Sequence, residues 1–311
     1  MKNKHPLVVG VGLCALDYLI IVDRYPAAGQ KVDAIASDIQ CGGPVLTALC
    51  ALARFGGRAT FIGKCGDDHD GREITDRLRE FGVDTSSMVI KKNERSPRAF
   101  IWIEKEGGER TVVLDRTGIG ELTADDIDEN PIKECRYLLI DGRETEASLK
   151  AAAVAKEHGA EVIFDAGSNR RRLGDILDLT DHLVASESFA GAVFPGLTPV
   201  EAARKLFESG KHKAVVITLG ENGAVAYSAD GVCWQPAFSV RAVDTTGAGD
   251  VFHGAYIFAL SQDFDLPKRL EFASAAAALK CRHMGGGKGI PSLEEIRLFL
   301  KQARGHDVIL D

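Results

Sequence analysis

The residues best suited to chemistry lie in one short segment, DTTGAGD, at positions 244–250. An apolar run with helical spacing follows directly at 251–259. Glycine weakens a helix interior, so Gly247 and Gly249 are expected where the backbone must approach something closely. The start of a helix offers unpaired N–H groups and a partial positive charge, which favour an anion such as phosphate. We therefore predict an anion site at this helix start, with the carboxylate of Asp250 beside it.

The elements that would position this segment alternate regularly along the chain. Apolar, β-rich runs are separated by amphipathic helix-like segments at 71–82, 146–159 and 200–210. Near-continuous apolar strands alternating with helices indicate an α/β fold with a doubly wound, mostly parallel sheet flanked by helices. The predicted strands lie at 7–12, 59–63, 136–142, 161–167, 182–186, 214–220 and 224–228.

Two segments interrupt the alternation of strands and helices. Residues 18–40 and 98–115 contain short β-rich pieces around turn residues such as Pro26 and Gly29. We predict that they form hairpins of a small second sheet, which would act as a lid over a cleft and exclude water. With no linker in the sequence, residues 1–311 are predicted to form one domain. The exposed edges of the lid predict a homodimer through it.

Composition narrows the class of protein. The formal net charge of −7 argues against nucleic acid as a main partner, since phosphate contacts need clustered Lys and Arg. The basic run at 170–172 is interpreted as a solvated loop or helix edge. No stretch resembles a signal peptide or a membrane helix. The seven cysteines are scattered without a C-x-x-C pair, which is typical of reduced thiols in a cytoplasmic protein.

One glycine motif is interpreted as a false match. GVGLCA, at 10–15, fits the dinucleotide fingerprint that follows a strand. That fingerprint needs a helix to begin at the turn, whereas residues 16–25 continue as β-rich sequence into Pro26. We therefore predict no dinucleotide-binding turn here.

Several motifs in a fixed order carry a wider resemblance. The chain resembles the ribokinase-like (PfkB-type) carbohydrate kinases over almost its whole length, and DTTGAGDVFHGA is the most specific match. The other matching segments are G-x-x-x-x-D at 12–17, the glycine pair that opens a helix at 42–43, GKCGDDHDG at 63–71, TLGENG at 218–223 and GGGKGIP at 285–291.

The resemblance implies a reaction and a catalytic group. Members of the family transfer the γ-phosphoryl group of ATP, with Mg²⁺, to a hydroxyl of a sugar or nucleoside. The backbone N–H groups of Gly247, Ala248 and Gly249 would form the anion hole, and Asp250 would accept the proton of the attacking hydroxyl. Such a reaction needs mainly positioning and electrostatic stabilisation, to which a base adds about 10²–10⁴-fold.

The resemblance also implies an acceptor site. Asp17 would bind acceptor hydroxyls, and Gly42 and Gly43 would let the acceptor approach the helix start. Arg143 follows a strand at the edge where open α/β sheets bind ligands, so it could pair with an anionic group on the acceptor or form a surface salt bridge. Thr47 stands where the family usually has an Asn that contacts the sugar, which would change the acceptor geometry.

Nucleotide and cation contacts follow from the same resemblance. Thr218, Gly220 and Gly223 would line the nucleotide, and Ala276, Ala277, Lys280, Gly286 and Gly287 lie in the region of the adenine pocket. Asp244 and Thr246 match positions that hold a monovalent cation such as K⁺ in some members. The N-x-x-E motif of the family is replaced by Ser186 and Phe189, with Glu187 as a substitute for the metal contact.

Within the family, the chain looks closest to the branch of sulfofructose kinases and ketohexokinases. Arg143 matches an arginine that contacts the sulfonate in that branch, but Gln30 and Leu114 replace the Lys and Asn that do the same. We therefore expect a sugar or sugar derivative other than sulfofructose as the acceptor.

Two other functions stay open at this stage. A nucleoside kinase would want an aromatic platform on the lid, for which Phe100 and Trp102 qualify. A sugar or nucleotide sensor would keep the fold but has no need of the base Asp250. His253, one turn after Asp250, is interpreted as a buried or tip-exposed helix histidine and not as a catalytic group.

Overall fold

A computed structural model of the chain describes residues 6–304. Its strands are β1 (Leu7–Val11), β2 (Ala15–Val22), β3 (Ala36–Gly42), β4 (Arg58–Ile62), β5 (Lys64–Gly66), β6 (Val89–Lys91), β7 (Arg98–Glu104), β8 (Arg110–Asp115), β9 (Tyr137–Ile140), β10 (Glu161–Ala166), β11 (His182–Ser186), β12 (Ala214–Thr218), β13 (Ala224–Ser228) and β14 (Gly231–Gln235). Its helices are α1 (Pro44–Arg54), α2 (His69–Glu80), α3 (Glu129–Glu134), α4 (Thr145–Glu157), α5 (Leu173–Leu179), α6 (Glu187–Val193), α7 (Pro199–Ser209), α8 (Ala248–Ser261), α9 (Leu266–Lys280) and α10 (Leu293–Arg304).

The main sheet has the strand order β14-β13-β12-β11-β10-β9-β1-β4. It is parallel from β12 to β4, and β13 and β14 extend it in antiparallel fashion at one edge. Separate apolar clusters cover its two faces, one containing α1, α8 and α9 and the other α4 and α7. The doubly wound, mostly parallel sheet is therefore confirmed, and β14 is the strand of this sheet that the sequence did not predict. The short pair β5–β6 was not predicted either.

Helices α1 and α8 pack unusually closely, and a glycine allows it. A Cβ atom on Gly254 would lie 2.2 Å from the carbonyl oxygen of Ala48, a distance that no side chain tolerates. This contact brings the start of α8 next to the start of α1. The two glycine-rich helix starts that the sequence singled out therefore share one end of the molecule.

The lid is a second sheet with the order β3-β2-β7-β8. The pairs β2–β3 and β7–β8 are antiparallel, while β2 and β7 run parallel. Leu19, Ile101 and Ile103 on its inner face are buried and pack with Met284. The two segments predicted from the sequence thus form one four-stranded lid that rests on the loop after α9.

Strand β1 is followed by β2 from Ala15 onward, so no helix begins at GVGLCA and the dinucleotide fingerprint is a false match. Between residues 6 and 304, every helix is too short or too polar to cross a bilayer. All seven cysteines lie in this range and are free thiols.

Candidate active site

The candidate site lies at the carboxyl ends of the parallel strands, where the strand order reverses. Strand β1 sits between β9 and β4, so the connections leave it in opposite directions and open a crevice. Asp141 follows β9 at this point and is fully buried. Its Oδ2 lies so near Gly12 that a Cβ atom there would be only 2.7 Å away. Burial raises the pKa of Asp141 to about 6, against the lowering effect of the Arg143 N–H group.

The segment DTTGAGD forms the start of α8, as predicted. Gly247 precedes the helix with a left-handed backbone (φ 77°), and a Cβ atom there would lie 2.7 Å from the Cα of Gly286. Only glycine fits this position, because both the conformation and the close approach exclude a side chain. Ala248, Gly249 and Asp250 form the first turn, where backbone N–H groups have no partner within the helix.

Asp250 is half-buried and lies among other charged groups. Burial, together with the negative charge of Asp165, raises the pKa of Asp250 to about 7. The positive charges of Arg110 and Arg143, together with His253, act in the opposite direction. A carboxyl group with a pKa close to neutral pH is suited to accept and release a proton.

Asp17 on β2 faces the same cleft. It is 9% exposed, and a Cβ atom on Gly42 would lie 1.9 Å from its Oδ2, so the space for this carboxylate exists only because residue 42 is glycine. Burial, together with the negative charge of Asp250, raises the pKa of Asp17 to about 8. The structure therefore brings the predicted acceptor contact and the predicted base close enough for their charges to interact.

Asp165 is a site residue that sequence reasoning missed. It lies near the carboxyl end of β10, and its Oδ1 is 3.5 Å from His253 Nε2. His253 is buried, and its two ring nitrogens contact the carbonyl oxygens of Gly249 (2.7 Å) and Val184 (3.2 Å). The histidine thus anchors the first turn of α8, in agreement with its interpretation as structural. The signal for Asp165 was the strand-end carboxylate in EVIFDAG.

A basic cavity of about 250 Å³ lies beside Asp141. Its lining residues are Arg116, Glu121, Gly142, Arg143, Thr145, Asn169, Arg170 and Arg171. The side chain of Arg143 is exposed and forms no hydrogen bond or salt bridge with the rest of residues 6–304, although its backbone N–H donates to Asp141 Oδ1 at 2.9 Å. The Arg170 side chain bonds only to neutral oxygens, including the backbone of Asp141 at 2.9 Å. Burial lowers the pKa of Arg170, and the nearby charge of Arg143 lowers it further. The basic run at 170–172 therefore contributes to a cavity, not only to a solvated loop.

The predicted nucleotide contacts lie at or near the same edge of the sheet. Thr218 ends β12, and its Oγ1 donates to the carbonyl oxygen of Ala185 at 3.3 Å. Gly220 and Gly223 both have positive φ (57° and 97°), and a Cβ atom on Gly223 would lie 2.1 Å from the carbonyl oxygen of Gln235. These glycines are required by the backbone itself, so their role in binding a nucleotide stays a prediction.

Thr47 and Gly43 lie near the start of α1, and Ala277 lies near the end of α9. Thr47 is 3% exposed and packs behind the glycine loops, with its Cγ2 within 3.3 Å of the Cβ position of Gly286. The second glycine of α1, Gly43, has φ 127°, and a Cβ atom there would lie 2.1 Å from the carbonyl oxygen of Leu13. Ala277, on the last turns of α9, is only partly buried. The acceptor contact of Thr47 and the adenine contact of Ala277 stay predictions.

The altered metal motif has a clear structural role. Ser186 caps α6 by accepting the N–H of Phe189 at 3.1 Å, and Phe189 is buried in the core. Glu187, in contrast, is exposed in the first turn of α6. Of these positions, only Glu187 leaves a carboxylate free to reach solvent or a bound ion.

The aromatic residues of the lid point away from the cleft. Asp17 pairs with Ala99 across the lid sheet, and Tyr18 pairs with Phe100. Since successive side chains of a strand alternate between faces, Phe100 and Trp102 lie on the face opposite to Asp17. A base stacked on them would lie outside the cleft.

Asp244 and Thr246 lie beneath the start of α8 and are buried. The two carboxylate oxygens of Asp244 accept the N–H groups of Thr246 and Gly285, each at 2.7 Å. Lys280 is fully buried and donates to the backbone oxygen of Asp244 at 2.7 Å. The Lys280 side chain therefore lies against the predicted cation site, and the adenine pocket near it stays a prediction.

Comparison with known proteins agrees with this geometry. The chain is 29% identical to 5-dehydro-2-deoxygluconokinase from Clostridium perfringens, over 85% of this chain and 84% of the relative. The crystal structure of a putative ribokinase from Agrobacterium tumefaciens superposes with a TM-score of 0.86 and 30% identity, over 97% of this chain and 99% of that one. A putative ribokinase II from E. coli in complex with ATP and Mg²⁺ gives a TM-score of 0.82 and 27% identity, over 96% and 99%.

The fold and the site together define the ribokinase-like class of α/β proteins. The profile of the pfkB family carbohydrate kinases matches residues 6–293. Ribokinase, ketohexokinase and fructokinase are also among the relatives. The chain belongs to the pfkB family and is a carbohydrate kinase.

Proposed function

We propose that this chain transfers the γ-phosphoryl group of ATP to a hydroxyl of an anionic sugar derivative, with Asp250 as the general base. The observation that carries this proposal is the position of Asp250. Its carboxyl group lies in the first turn of α8, has a pKa of about 7 and faces Asp17 across the cleft. Asp250 would take the proton of the hydroxyl as its oxygen attacks the phosphoryl group.

The backbone at 247–249 would stabilise the charge of the transferring group. Phosphoryl transfer spreads negative charge over three oxygens, and preorganised N–H groups at a helix start are suited to hold it. ATP would reach this point from the side of Thr218, Gly220, Gly223, Ala277 and Gly286. Mg²⁺ binds few protein ligands when phosphates and water supply the rest, so Glu187 is the protein group that we propose beside it.

The acceptor would span Asp17 and the basic cavity. Asp17 would bind a sugar hydroxyl beside the start of α1. Gly42 leaves the space that the Asp17 carboxylate occupies, and Gly43 allows the close approach to the carbonyl oxygen of Leu13, so both would let the acceptor reach this helix start. The side chains of Arg143 and Arg170 have no carboxylate partner within residues 6–304, and a guanidinium group binds carboxylate or phosphate through two parallel hydrogen bonds. A sugar acid or a sugar phosphate would supply that anionic partner. The relative from Clostridium perfringens, 5-dehydro-2-deoxygluconokinase, is named for such a sugar acid.

The alternatives weighed from the sequence are less well supported. A nucleoside acceptor would need an aromatic platform, but Phe100 and Trp102 lie on the outer face of the lid. A sensor would have no use for a carboxyl group whose pKa is raised to about 7 at the phosphate site.

We also propose a homodimer in the cytoplasm, with the lids as the contact. Ile39, Tyr18, Phe100 and Val113 lie side by side across the outer face of the lid, and Val113 is 51% exposed. Such a row of apolar side chains is typical of an interface. Free cysteines throughout residues 6–304 support a reducing compartment. A monomer by light scattering at micromolar concentration would contradict the dimer.

The test of the reaction is a coupled ADP-release assay with ATP and Mg²⁺. Acceptors are supplied in matched pairs, each neutral ketose or aldose beside its acid or phosphate, and nucleosides are included. We expect turnover with an anionic acceptor that is lost in Asp250→Asn. ADP release only with neutral sugars would support the kinase reaction but refute the proposal that the acceptor is anionic. Release that persists in Asp250→Asn would refute the mechanism.

Variants of the basic cavity separate acceptor binding from chemistry. In Arg143→Leu and Arg170→Leu we expect KM for the anionic acceptor to rise about tenfold or more, with KM for ATP unchanged. Arg204→Leu is the matched control, because Arg204 pairs with Glu208 on the distant helix α7.

A further inference from the structure

The buried lysine beneath the start of α8 is not explained by the proposed reaction. Lys280 is 0% exposed, although lysine is almost never buried without a partner. Its Nζ donates to the backbone oxygen of Asp244 at 2.7 Å and lies 4.0 Å from Asp244 Oδ2. Asp244 is also 0% exposed. The two side chains therefore form a buried pair of opposite charge.

This pair lies where the family resemblance would put a monovalent cation. Asp244 and Thr246 are the matching residues, and Thr246 Oγ1 is buried with no hydrogen-bond partner among the described residues. The Thr246 Oγ1 atom is thus available to a cation, but the negative charge of Asp244 is not. The single carboxylate is already balanced by the Lys280 ammonium, and a second buried cation within a few ångströms would be repelled by it. The residues present do not fit an additional K⁺.

The pair is connected to the phosphate site through short backbone steps. Asp244 Oδ1 accepts the N–H of Thr246, and Thr246 directly precedes Gly247. Asp244 Oδ2 accepts the N–H of Gly285, and Gly286 packs against Gly247. The orientation of the 247–249 backbone therefore depends on the position of the Asp244 carboxylate.

We propose that the Lys280 ammonium replaces the monovalent cation in this chain and, through Asp244, positions the backbone that binds the phosphoryl group. Lys280 is a positioning residue, since it reaches no reacting atom. Burial lowers the pKa of Lys280, and the charge of Asp244 offsets part of this lowering. The consequence for catalysis rests on the proposed function, but the charge replacement itself does not.

The first test uses the wild-type protein. Its melting temperature, and its affinity for MgADP, are measured in KCl, NaCl and tetramethylammonium chloride at equal ionic strength. We expect melting temperatures within about 1 °C and dissociation constants within about twofold, because no site discriminates the ions. A rise of more than about 2 °C, or a tenfold gain in affinity, that is specific to K⁺ would overturn the proposal.

The second test removes the ammonium. In Lys280→Met we expect a lower melting temperature that recovers by at least about 2 °C in K⁺ or NH₄⁺ but not in tetramethylammonium, since the ion can then occupy the space beside Asp244 and Thr246. Lys288→Met is the matched control, because Lys288 lies in the next loop and pairs with the partly exposed Asp38. It should show no ion-specific recovery.

The outcomes can be told apart without any kinase assay. A folded Lys280→Met protein that does not respond to K⁺ or NH₄⁺ would show that Lys280 has only a packing role, and would overturn the replacement. Lys280→Gln, which keeps a donor without the charge, serves if the Met variant does not fold. If neither variant folds, the wild-type ion series decides the question alone.

Discussion

The two ends of strand β10 show opposite solutions to the same electrostatic problem. Glu161 begins the strand, and its carboxylate contacts both His182 Nε2 and Lys213 Nζ at 2.9 Å. The hydrogen bond from His182, together with Lys213, lowers the pKa of Glu161 to about 2. Asp165, near the other end, lies beside Asp250, whose pKa is raised to about 7. One edge of the sheet pairs its charges, and the other leaves carboxylates close together.

The difference in pKa between the two edges indicates which carboxylates stabilise the fold and which are kept for chemistry at a cost in stability. A carboxylate with a lowered pKa stabilises the fold at neutral pH, and one with a raised pKa destabilises it. Asp17, Asp141 and Asp250 all have raised pKa values; Asp141 and Asp250 lie at the carboxyl edge, and Asp17 faces the same cleft from β2 of the lid. Natural proteins tolerate such clusters of carboxylates chiefly at functional sites, because a bound substrate or a proton then relieves the repulsion between them.

The largest expected effect is the difference in kcat between two variants, each of which replaces one carboxylate, at the carboxyl edge or at the opposite edge, by its amide. Asp250→Asn is expected to lower kcat by at least about 100-fold, since it removes the general base while keeping the shape of the side chain. Glu161→Gln should keep kcat within about twofold, because Glu161 lies at the opposite edge. Both are measured by ADP release with the acceptor found in the panel, and binding of ATP to Asp250→Asn should persist.

Equal losses of turnover in the two variants would remove the functional distinction between the edges. A loss in Asp250→Asn that is accompanied by loss of ATP binding would point to a structural role of Asp250 at the helix start.

The pH dependence of turnover should report on the carboxyl edge alone. With a pKa of about 7, Asp250 is mostly protonated at pH 6 and mostly ionised at pH 8. We therefore expect kcat/KM to rise about tenfold between these values and then level off. The control is Glu161→Gln, whose profile should match the wild type. A profile that is flat from pH 6 to 8 would mean that Asp250 titrates elsewhere or does not act as the base.

Much of this arrangement was predictable because it depends on local patterns. The apolar strands, the position of the lid segments and the helix start at Gly247 all follow from periodicity and glycine placement. Asp250 and Asp17 were found through motifs with fixed spacing. These features need only a few neighbouring residues to be recognised.

The features that the sequence did not give depend on contacts between distant segments. Asp165 is important because β10 lies beside the start of α8, and Lys280 because α9 ends against Asp244. Phe100 turned outward because of the register between β2 and β7, which one residue of shift would reverse. Neither proximity nor register can be read from single residues and their neighbours.

A smaller but measurable effect concerns stability at the carboxyl edge. The pKa of Asp17 is about 8 in the folded protein, against about 3.9 for an unfolded chain. The folded state thus binds more protons between these values, so the free energy of unfolding should fall as pH rises from 4 to 8. Asp17→Asn removes this penalty and should stabilise the protein by about 1–3 kcal/mol at pH 8, and by little at pH 4. Urea unfolding at both pH values checks it, and destabilisation at pH 8 would contradict it.

The smallest expected effects concern the edge with paired charges, at Glu161. There, removing a carboxylate should lower the free energy of unfolding instead of raising it. Glu161→Gln should lower the free energy of unfolding at pH 7 by about 1–2 kcal/mol, because the buried His182 loses its charged partner. Lys213→Met should cost less than about 1 kcal/mol, since its side chain is 54% exposed. The contribution of Glu161 is present above its unfolded pKa near 4.3 and is lost as pH falls through about 2, so the gap to wild type should narrow below pH 4.5. Urea unfolding at pH 7 and pH 3.5 measures this gap. If Glu161→Gln instead stabilised the protein at pH 7, as Asp17→Asn is expected to do at pH 8, the two edges would not differ in the way their pKa values indicate.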